Sequence, residues 1–212
     1  MRAALLGVVV TIVGGLMTTA AAQERKPLPI AMINARVFMT KLAADTVTAG
    51  DLGVALTDLP GRAVGYAVGG QVFVLRKPGW AVGVGAEALR GRGKHQRAAT
   101  ATTEAGPVVQ QRMDGVFGLL TVDFGDPAGW SYLAAGLGPM RFQAFKSDPP
   151  GPPAAGQLTF NFGGGAQWFS TPHAAFAFDL RFFQTKGSAA TEISAGRGPH
   201  RMLLMSVGVS LK

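Results

Sequence analysis

The chain has 212 residues, no cysteine, and 20 lysines and arginines against 12 acidic residues. This length suits a single domain, and without cysteine neither a disulfide framework nor a cysteine-linked lipid is possible. Glycine accounts for 30 residues, about twice its usual share. It is interleaved with Val, Phe, Leu and Trp, which favours packed β structure over disorder.

The N-terminus has the three parts of a secretory signal peptide. Arg2 supplies a positive charge, residues 3–16 are apolar, and Ala20-x-Ala22 is a cleavage pattern. We therefore predict a signal peptide at 1–22 and a mature domain at 23–212. A retained anchor is the alternative, but the apolar segment is shorter than the ~20 residues that span a bilayer. Export also argues against a nucleic-acid partner, despite the positive charge.

Eight apolar, glycine-rich runs follow, and their period-2 alternation predicts β-strands. In chain order the predicted strands cover residues 30–40, 64–76, 80–91, 113–125, 130–145, 159–169, 174–185 and 201–212. Long connections alternate with short ones. The short turns are 77–79, 126–129 and 170–172, and the long loops are 41–61, 91–110, 146–156 and 187–198. Bacterial outer-membrane barrels have this asymmetry, so we predict an all-β, eight-stranded antiparallel up-and-down transmembrane β-barrel.

The two faces of the strands differ in polarity. In the strand at 174–185, Phe176, Phe178 and Leu180 alternate with Asp179 and Arg181. A soluble lipocalin-like barrel has an apolar lumen and a charged exterior. Here the nearly charge-free apolar face predicts a lipid-facing exterior, and the face of glycines, amides and single charges predicts a polar lumen.

Six charges, three of each sign, fall on the predicted lumen face: Arg36, Glu87, Asp123, Arg141, Asp179 and Arg181. An eight-stranded lumen is about as wide as its own side chains, and an unpaired buried charge is costly. We therefore expect a salt-bridge network that seals the lumen, with a charged solute pathway as the alternative. Four apolar residues also fall on this face and would favour a hydrophobic ligand: Phe73, Leu133, Leu137 and Phe183.

Aromatic residues near the short turns are assigned to the lipid face: Trp80, Trp130, Tyr132 and Trp168. This placement predicts an aromatic girdle at one bilayer interface. The alternative is that the tryptophans are ordinary core residues.

Basic residues are frequent near the long loops, and six of them are candidates for contact with anionic headgroups: Arg90, Arg92, Lys94, Arg97, Arg197 and Arg201. Arginine and lysine bind phosphate well, so lipopolysaccharide is one expected partner. Solvated loop charge is the alternative. His200, with Ser188 and Ser194 in the preceding loop, could serve a lipid A modifying enzyme, but no specific motif supports this. We expect no catalytic residue, metal site or cofactor.

Residues 161–169, Asn-Phe-Gly-Gly-Gly-Ala-Gln-Trp-Phe, and 175–182, with Asp179-x-Arg181, resemble the outer-membrane β-barrel domain family, the small OmpA- and OmpW-like barrels. The resemblance covers the signal and essentially all of the mature chain. It departs from the family at the terminal Leu211-Lys212, where such barrels often end in an aromatic residue. We expect no peptidoglycan-binding domain after the last strand.

The resemblance implies location in the bacterial outer membrane rather than an activity. We expect a monomeric, non-enzymatic structural or surface-interaction barrel with a largely sealed polar lumen. Its expected partners are outer-membrane lipid and, during biogenesis, the barrel assembly machinery. A narrow OmpW-like channel or binding barrel for a small hydrophobic molecule is the alternative function.

Overall fold

The computed structural model describes residues 28–102, 104–126, 128–146, 156–186 and 199–212. Eight strands form a closed antiparallel barrel in which each strand pairs with its sequence neighbours and the first pairs with the last. The strands are β1 Ala31–Lys41, β2 Arg62–Lys77, β3 Trp80–Gln96, β4 Val108–Asp126, β5 Gly129–Phe145, β6 Gln157–Phe169, β7 Ala174–Thr185 and β8 His200–Leu211. The predicted all-β, up-and-down architecture is confirmed. The predicted signal peptide lies outside the described residues.

A continuous apolar belt surrounds the barrel. Outward positions on all eight strands carry exposed apolar side chains, among them Val37, Val68, Val84, Leu120, Leu133, Phe162, Phe178 and Val207. An apolar band that encircles a monomer is the lipid-facing surface of a transmembrane barrel rather than the surface of a water-soluble one.

The first long connection is structured. A short helix, α1 (Thr46–Leu52), begins at Asp45, whose side chain accepts hydrogen bonds from the backbone N–H groups of Val47 and Thr48. Gly53 ends the helix at φ 59°, in the left-handed region that glycine adopts easily. A 3-10 turn at Leu56–Asp58 follows. No helix in the described part of the chain is long and apolar enough to cross a membrane.

The hairpin of β3 and β4 extends further than its apolar pattern. Its ladder continues to the pair Gln96 and Val108, so both ends of the predicted loop at 91–110 are strand and the connection itself is 97–107. The pattern stops being apolar because the outward residues Arg92 and Lys94 lie beyond the belt. Gly91 and Gly93 remain on the inner face and continue the alternation.

Strand β5 faces the opposite way from its prediction. Leu133 and Leu137 are 62% and 54% exposed on the outside, whereas Trp130 and Tyr132 are buried in the lumen. The prediction was wrong because Arg141 was taken to mark the lumen face. Arg141 is exposed on the outside, beyond the apolar belt, where an outward charge meets no hydrocarbon.

Candidate functional site

Two arginines and two carboxylates meet in the middle of the lumen. Arg36 on β1 pairs with Glu87 on β3, and its Nη1 lies 2.8 Å from Asp179 Oδ2 on β7. Arg181 Nε lies 3.0 Å from the same Asp179 oxygen, and Arg181 Nη1 lies 3.4 Å from Glu87 Oε1. All four side chains are buried. Because each carboxylate contacts both arginines, the charges balance and the cost of burying them is offset. These four residues are called the charge cluster below.

Tyr132 joins the charge cluster from β5. Its hydroxyl donates a hydrogen bond to Asp179 Oδ2 at 2.6 Å and accepts one from Arg36 Nη1 at 3.4 Å. Two inward glycines leave room for these groups. A Cβ at Gly165 would lie 2.8 Å from the Tyr132 hydroxyl oxygen, and one at Gly208 would lie 2.6 Å from the Cα of Arg36. The glycine-rich lumen face therefore accommodates the larger polar side chains.

An apolar layer fills the lumen between the charge cluster and the end of the barrel that carries the long connections, called the outer end below. It is one contacting group of buried side chains from every strand except β6, and includes Phe38, Leu89, Met113, Phe117, Met140 and Phe183. The rings of Phe117 and Phe183 pack edge to face with their centroids 5.4 Å apart. Because the layer draws on seven strands, it extends across the lumen.

On the other side of the charge cluster, toward the short turns (the inner end), the lumen is polar. A cavity of about 10 Å³ is bordered there by Asn34, Gln71, Gln167 and Ser210, together with residues of the charge cluster. That volume is about what a single water molecule needs. Asp123 lies apart from the charge cluster, fully buried, and accepts a hydrogen bond from Thr121 Oγ1 at 2.7 Å.

Aromatic residues close the inner end of the lumen. Trp130 packs against Phe73 and Phe169, with ring centroids 6.4 and 4.8 Å away. Leu28 belongs to the same buried group, and the Lys212 ammonium lies 3.6 Å from the centroid of the Phe169 ring.

The assignment of Trp130 and Tyr132 to the lipid-facing girdle is therefore wrong. Both lie inside because the face of β5 that was predicted to contact lipid points into the lumen. Trp80 and Trp168 are 38% and 58% exposed on the outside of the barrel, next to the short turns.

A second small cavity, of about 20 Å³, lies at the outer rim and is bordered by Asp45, Thr48, Phe142 and His200. Partial burial raises the pKa of Asp45. Hydrogen bonds from the Thr48 hydroxyl and from two backbone N–H groups, together with His200, outweigh that effect and lower it. Ser188 and Ser194 lie outside the described residues. Within the described ranges, no three His, Asp or Glu side chains form a group that could hold a metal ion.

The candidate headgroup residues lie in different places. Arg90, Arg92 and Lys94 are on the outer wall of β3, and Arg201 is exposed on β8. Arg97 forms an ion pair with Asp58 in the β1–β2 connection, at 3.4 Å. Arg197 lies outside the described residues. Two further cations on the same wall, Arg112 on β4 and Arg141 on β5, are close to β3 in the register but distant in sequence.

Arg141 was missed as a headgroup candidate because it was assigned to the lumen. Arg112 was not among the six candidates, and only the register shows that it lies beside β3. Arg112 lies opposite Arg92, and Arg141 lies opposite Asp114, which itself pairs with Arg90. The signal in the sequence was the alternation of β4 and β5 continuing past their apolar segments.

Comparison with known proteins identifies the fold. Neisserial surface protein A has a similar structure, with a TM-score of 0.55 at 13% identity over 88% of this chain and 99% of that one. The N-terminal β-barrel domain of Pseudomonas aeruginosa OprF gives 0.43 at 14% identity, covering 85% and 96% of the two chains. Ail, the attachment invasion locus protein of Yersinia pestis, gives 0.41 at 11% identity with the same coverages. No family model and no curated protein matches the sequence.

Proposed function

We propose that this protein is a sealed, non-enzymatic barrel of the bacterial outer membrane, with a structural or surface-interaction role. The observation that carries the proposal is the filling of the lumen, where an apolar layer contributed by seven strands lies directly on the charge cluster. An ion that crossed the barrel would have to displace both.

On this proposal the charge cluster keeps the lumen closed and does not conduct ions. Conduction requires binding that is weak enough to release the ion. Each charge of the cluster already has two partners of opposite sign within the protein. Opening a path would break buried ion pairs, at about 3–5 kcal/mol for each uncompensated charge.

The apolar channel or binding barrel loses much of its support. Leu133 and Leu137, two of the four apolar residues assigned to the lumen, face outward. The other two, Phe73 and Phe183, are packed into the aromatic base and the apolar layer. A surface role fits the remaining features. These are a closed wall, a structured β1–β2 connection, and the strands β3 and β4, which extend beyond the apolar belt.

The outer-membrane location is supported by the apolar belt, by the predicted signal peptide and by the similarity of fold to Neisserial surface protein A. On this proposal the protein acts as a monomer and depends on the barrel assembly machinery for insertion. A closed barrel leaves no unpaired sheet edge that would need a second copy.

Single-channel recording in planar bilayers tests the sealed lumen. We expect the refolded protein to produce no reproducible conductance steps in 1 M salt, in a bilayer where a known porin gives them. The variant Phe117→Ala/Phe183→Ala removes two rings from the apolar layer and leaves the charge cluster intact. We expect it to be silent or to flicker. Large, stable steps from the unaltered protein would overturn the proposal.

A further inference from the structure

Three polar side chains around the inner cavity of the lumen have an atom with no hydrogen-bond partner in the described part of the chain. The atoms are Asn34 Oδ1 on β1, Gln167 Oε1 on β6 and Ser210 Oγ on β8. Gln167 is 3% exposed and Ser210 is fully buried. Because a buried polar group without a partner costs free energy and is rare in folded proteins, these three atoms point to a molecule bound in the cavity between them.

The strand register brings these groups together across the lumen. Asn34 and Ser210 occupy directly opposed positions on β1 and β8. Gln167 lies opposite Ala177 of β7, which also borders the cavity. Because the side chain of Ala177 is a single methyl group, it leaves Gln167 a path toward β8. A Cβ at Gly69 would lie 3.4 Å from Asn34 Oδ1, so the glycine keeps space open on the β2 side.

The charges around the cavity favour a neutral ligand. Arg36 and Arg181 border it, which disfavours a cation. Both arginines are already paired with Glu87 and Asp179, so the charge cluster has no net charge to attract an anion. The volume of about 10 Å³ suits one water molecule, and polar cavities of this size hold water whereas apolar ones stay dry.

A water molecule matches the three atoms in number and in kind. It can donate its two hydrogens to Asn34 Oδ1 and Gln167 Oε1, which are acceptors, and it can accept the hydrogen of the Ser210 hydroxyl. Buried waters typically make about three such hydrogen bonds to groups that otherwise have no partner. One water therefore satisfies all three atoms.

Two of the three atoms lie at the seam where the first strand meets the last. The β1–β8 ladder is the shortest of the eight ladders that close the barrel. Near its outer end, Thr40 Oγ1 donates a hydrogen bond to the backbone carbonyl oxygen of Leu203 at 2.8 Å. Near its inner end, Asn34 and Ser210 face each other, and a bridging molecule would supply the corresponding link.

We propose that a single water molecule, bound between Asn34 Oδ1, Gln167 Oε1 and Ser210 Oγ, fastens the inner end of the β1–β8 seam. This molecule is called the seam water below. It also connects β1 and β8 to β6 across the lumen. The inference goes beyond the sealed lumen, because a water molecule at this place would hold the seam in a conducting barrel as well.

Crystallography of the full mature chain in detergent tests the seam water directly. In a map that shows ordered water elsewhere on the protein, we expect one density peak at roughly 2.7–3.2 Å from each of the three atoms. Crystals soaked in rubidium bromide should show no anomalous peak in the cavity for either ion. An anomalous peak there would identify an ion site, and the absence of density would show a dry cavity. Either result would overturn the inference.

Two double variants separate the seam water from the loss of buried polar groups in general. Gln167→Met/Ser210→Ala removes two of the three partners and should abolish the density peak. Its matched control, Asn161→Leu/Ser206→Ala, removes from the same two strands two buried side chains whose polar atoms likewise lack partners among the described residues. Neither of these borders the cavity, so the control should keep the peak. If the first variant does not fold, Gln167→Met alone should at least halve the occupancy of the water.

Hydrogen–deuterium exchange measures the effect on the seam. The backbone amides of residues 33–36 and 208–211 should exchange roughly three- to tenfold faster in Gln167→Met/Ser210→Ala than in the unaltered protein, as expected for the loss of about one net hydrogen bond. In Asn161→Leu/Ser206→Ala their exchange should be unchanged. Equal acceleration in both variants would refute the seam role of the water. Unchanged exchange in a variant that has lost the density peak would refute it too.

Discussion

Replacing Arg36 with methionine is the most direct test of the charge cluster. Methionine is unbranched and apolar, so it fills much of the space but loses the contacts with Glu87, Asp179 and the Tyr132 hydroxyl. Arg181 then remains as the partner of two buried carboxylates. Removal of one member of a buried pair costs about 3–5 kcal/mol. Because Arg181 still reaches both carboxylates and the neighbouring cavity can admit water, we expect about 3 kcal/mol.

The free energy of unfolding would be measured by urea titration in phosphatidylcholine vesicles, in both the folding and unfolding directions. Tryptophan fluorescence and the gel mobility of unheated samples report the folded fraction. The matched control is Arg90→Met, which breaks an ion pair whose side chains are 54% and 39% exposed. Such a pair contributes at most about 1 kcal/mol.

A compensating variant separates charge imbalance from lost packing. Arg36→Met/Glu87→Gln removes one charge of each sign, so the double variant should be more stable than Arg36→Met alone. If Arg36→Met loses no more stability than Arg90→Met, or if the second substitution lowers stability further, the cluster is not a balanced buried network and the reasoning fails.

Three further predictions concern other parts of the barrel. In vesicles of brominated lipid, variants that retain only Trp80 or only Trp168 should be strongly quenched, and a variant that retains only Trp130 should be quenched little; equal quenching would place Trp130 in lipid. Gly165→Val should lower the yield of folded barrel in refolding assays, because its side chain would meet the backbone carbonyl of Phe178 and the Tyr132 hydroxyl. Normal folding would mean that this space is not needed. Asp45 has a pKa below its ordinary value of 3.8, so its stabilisation of α1 is complete above that value and is lost as the pH falls through the folded-state pKa. Amide-exchange protection of α1 should drop in acid, and should not do so in Asp45→Asn, whose cap does not titrate.

The strand pattern and the closed barrel could be read from the sequence because they depend on local order. Alternation along a strand separates its two faces, and turn residues separate one strand from the next. The even number of strands and the alternation of short and long connections then predict an antiparallel barrel. The confirmed fold rests on these local signals.

The facing of β5 required the tertiary structure. One of its faces carries Leu133 and Leu137 and the other carries Ala134, Gly136 and Gly138, so neither face is distinctly polar within the bilayer. The single charge, Arg141, was misleading because a charge indicates the lumen only at the level of hydrocarbon. The depth of a residue in the membrane depends on strand register and tilt. Alternation within one strand shows which face a residue is on but not how deep it lies.

The meeting of residues from distant strands was likewise decided by barrel closure. Arg36 and Asp179 are separated by most of the chain, and they lie 2.8 Å apart because β1 pairs with β8 and β8 with β7. The pairing of Arg92 with Arg112 follows from the β3–β4 ladder in the same way. The sequence by itself determined which side chains share a face of each strand. Register and closure decided which of them touch, because side-chain contacts between strands depend on positions along neighbouring ladders rather than on spacing along the chain.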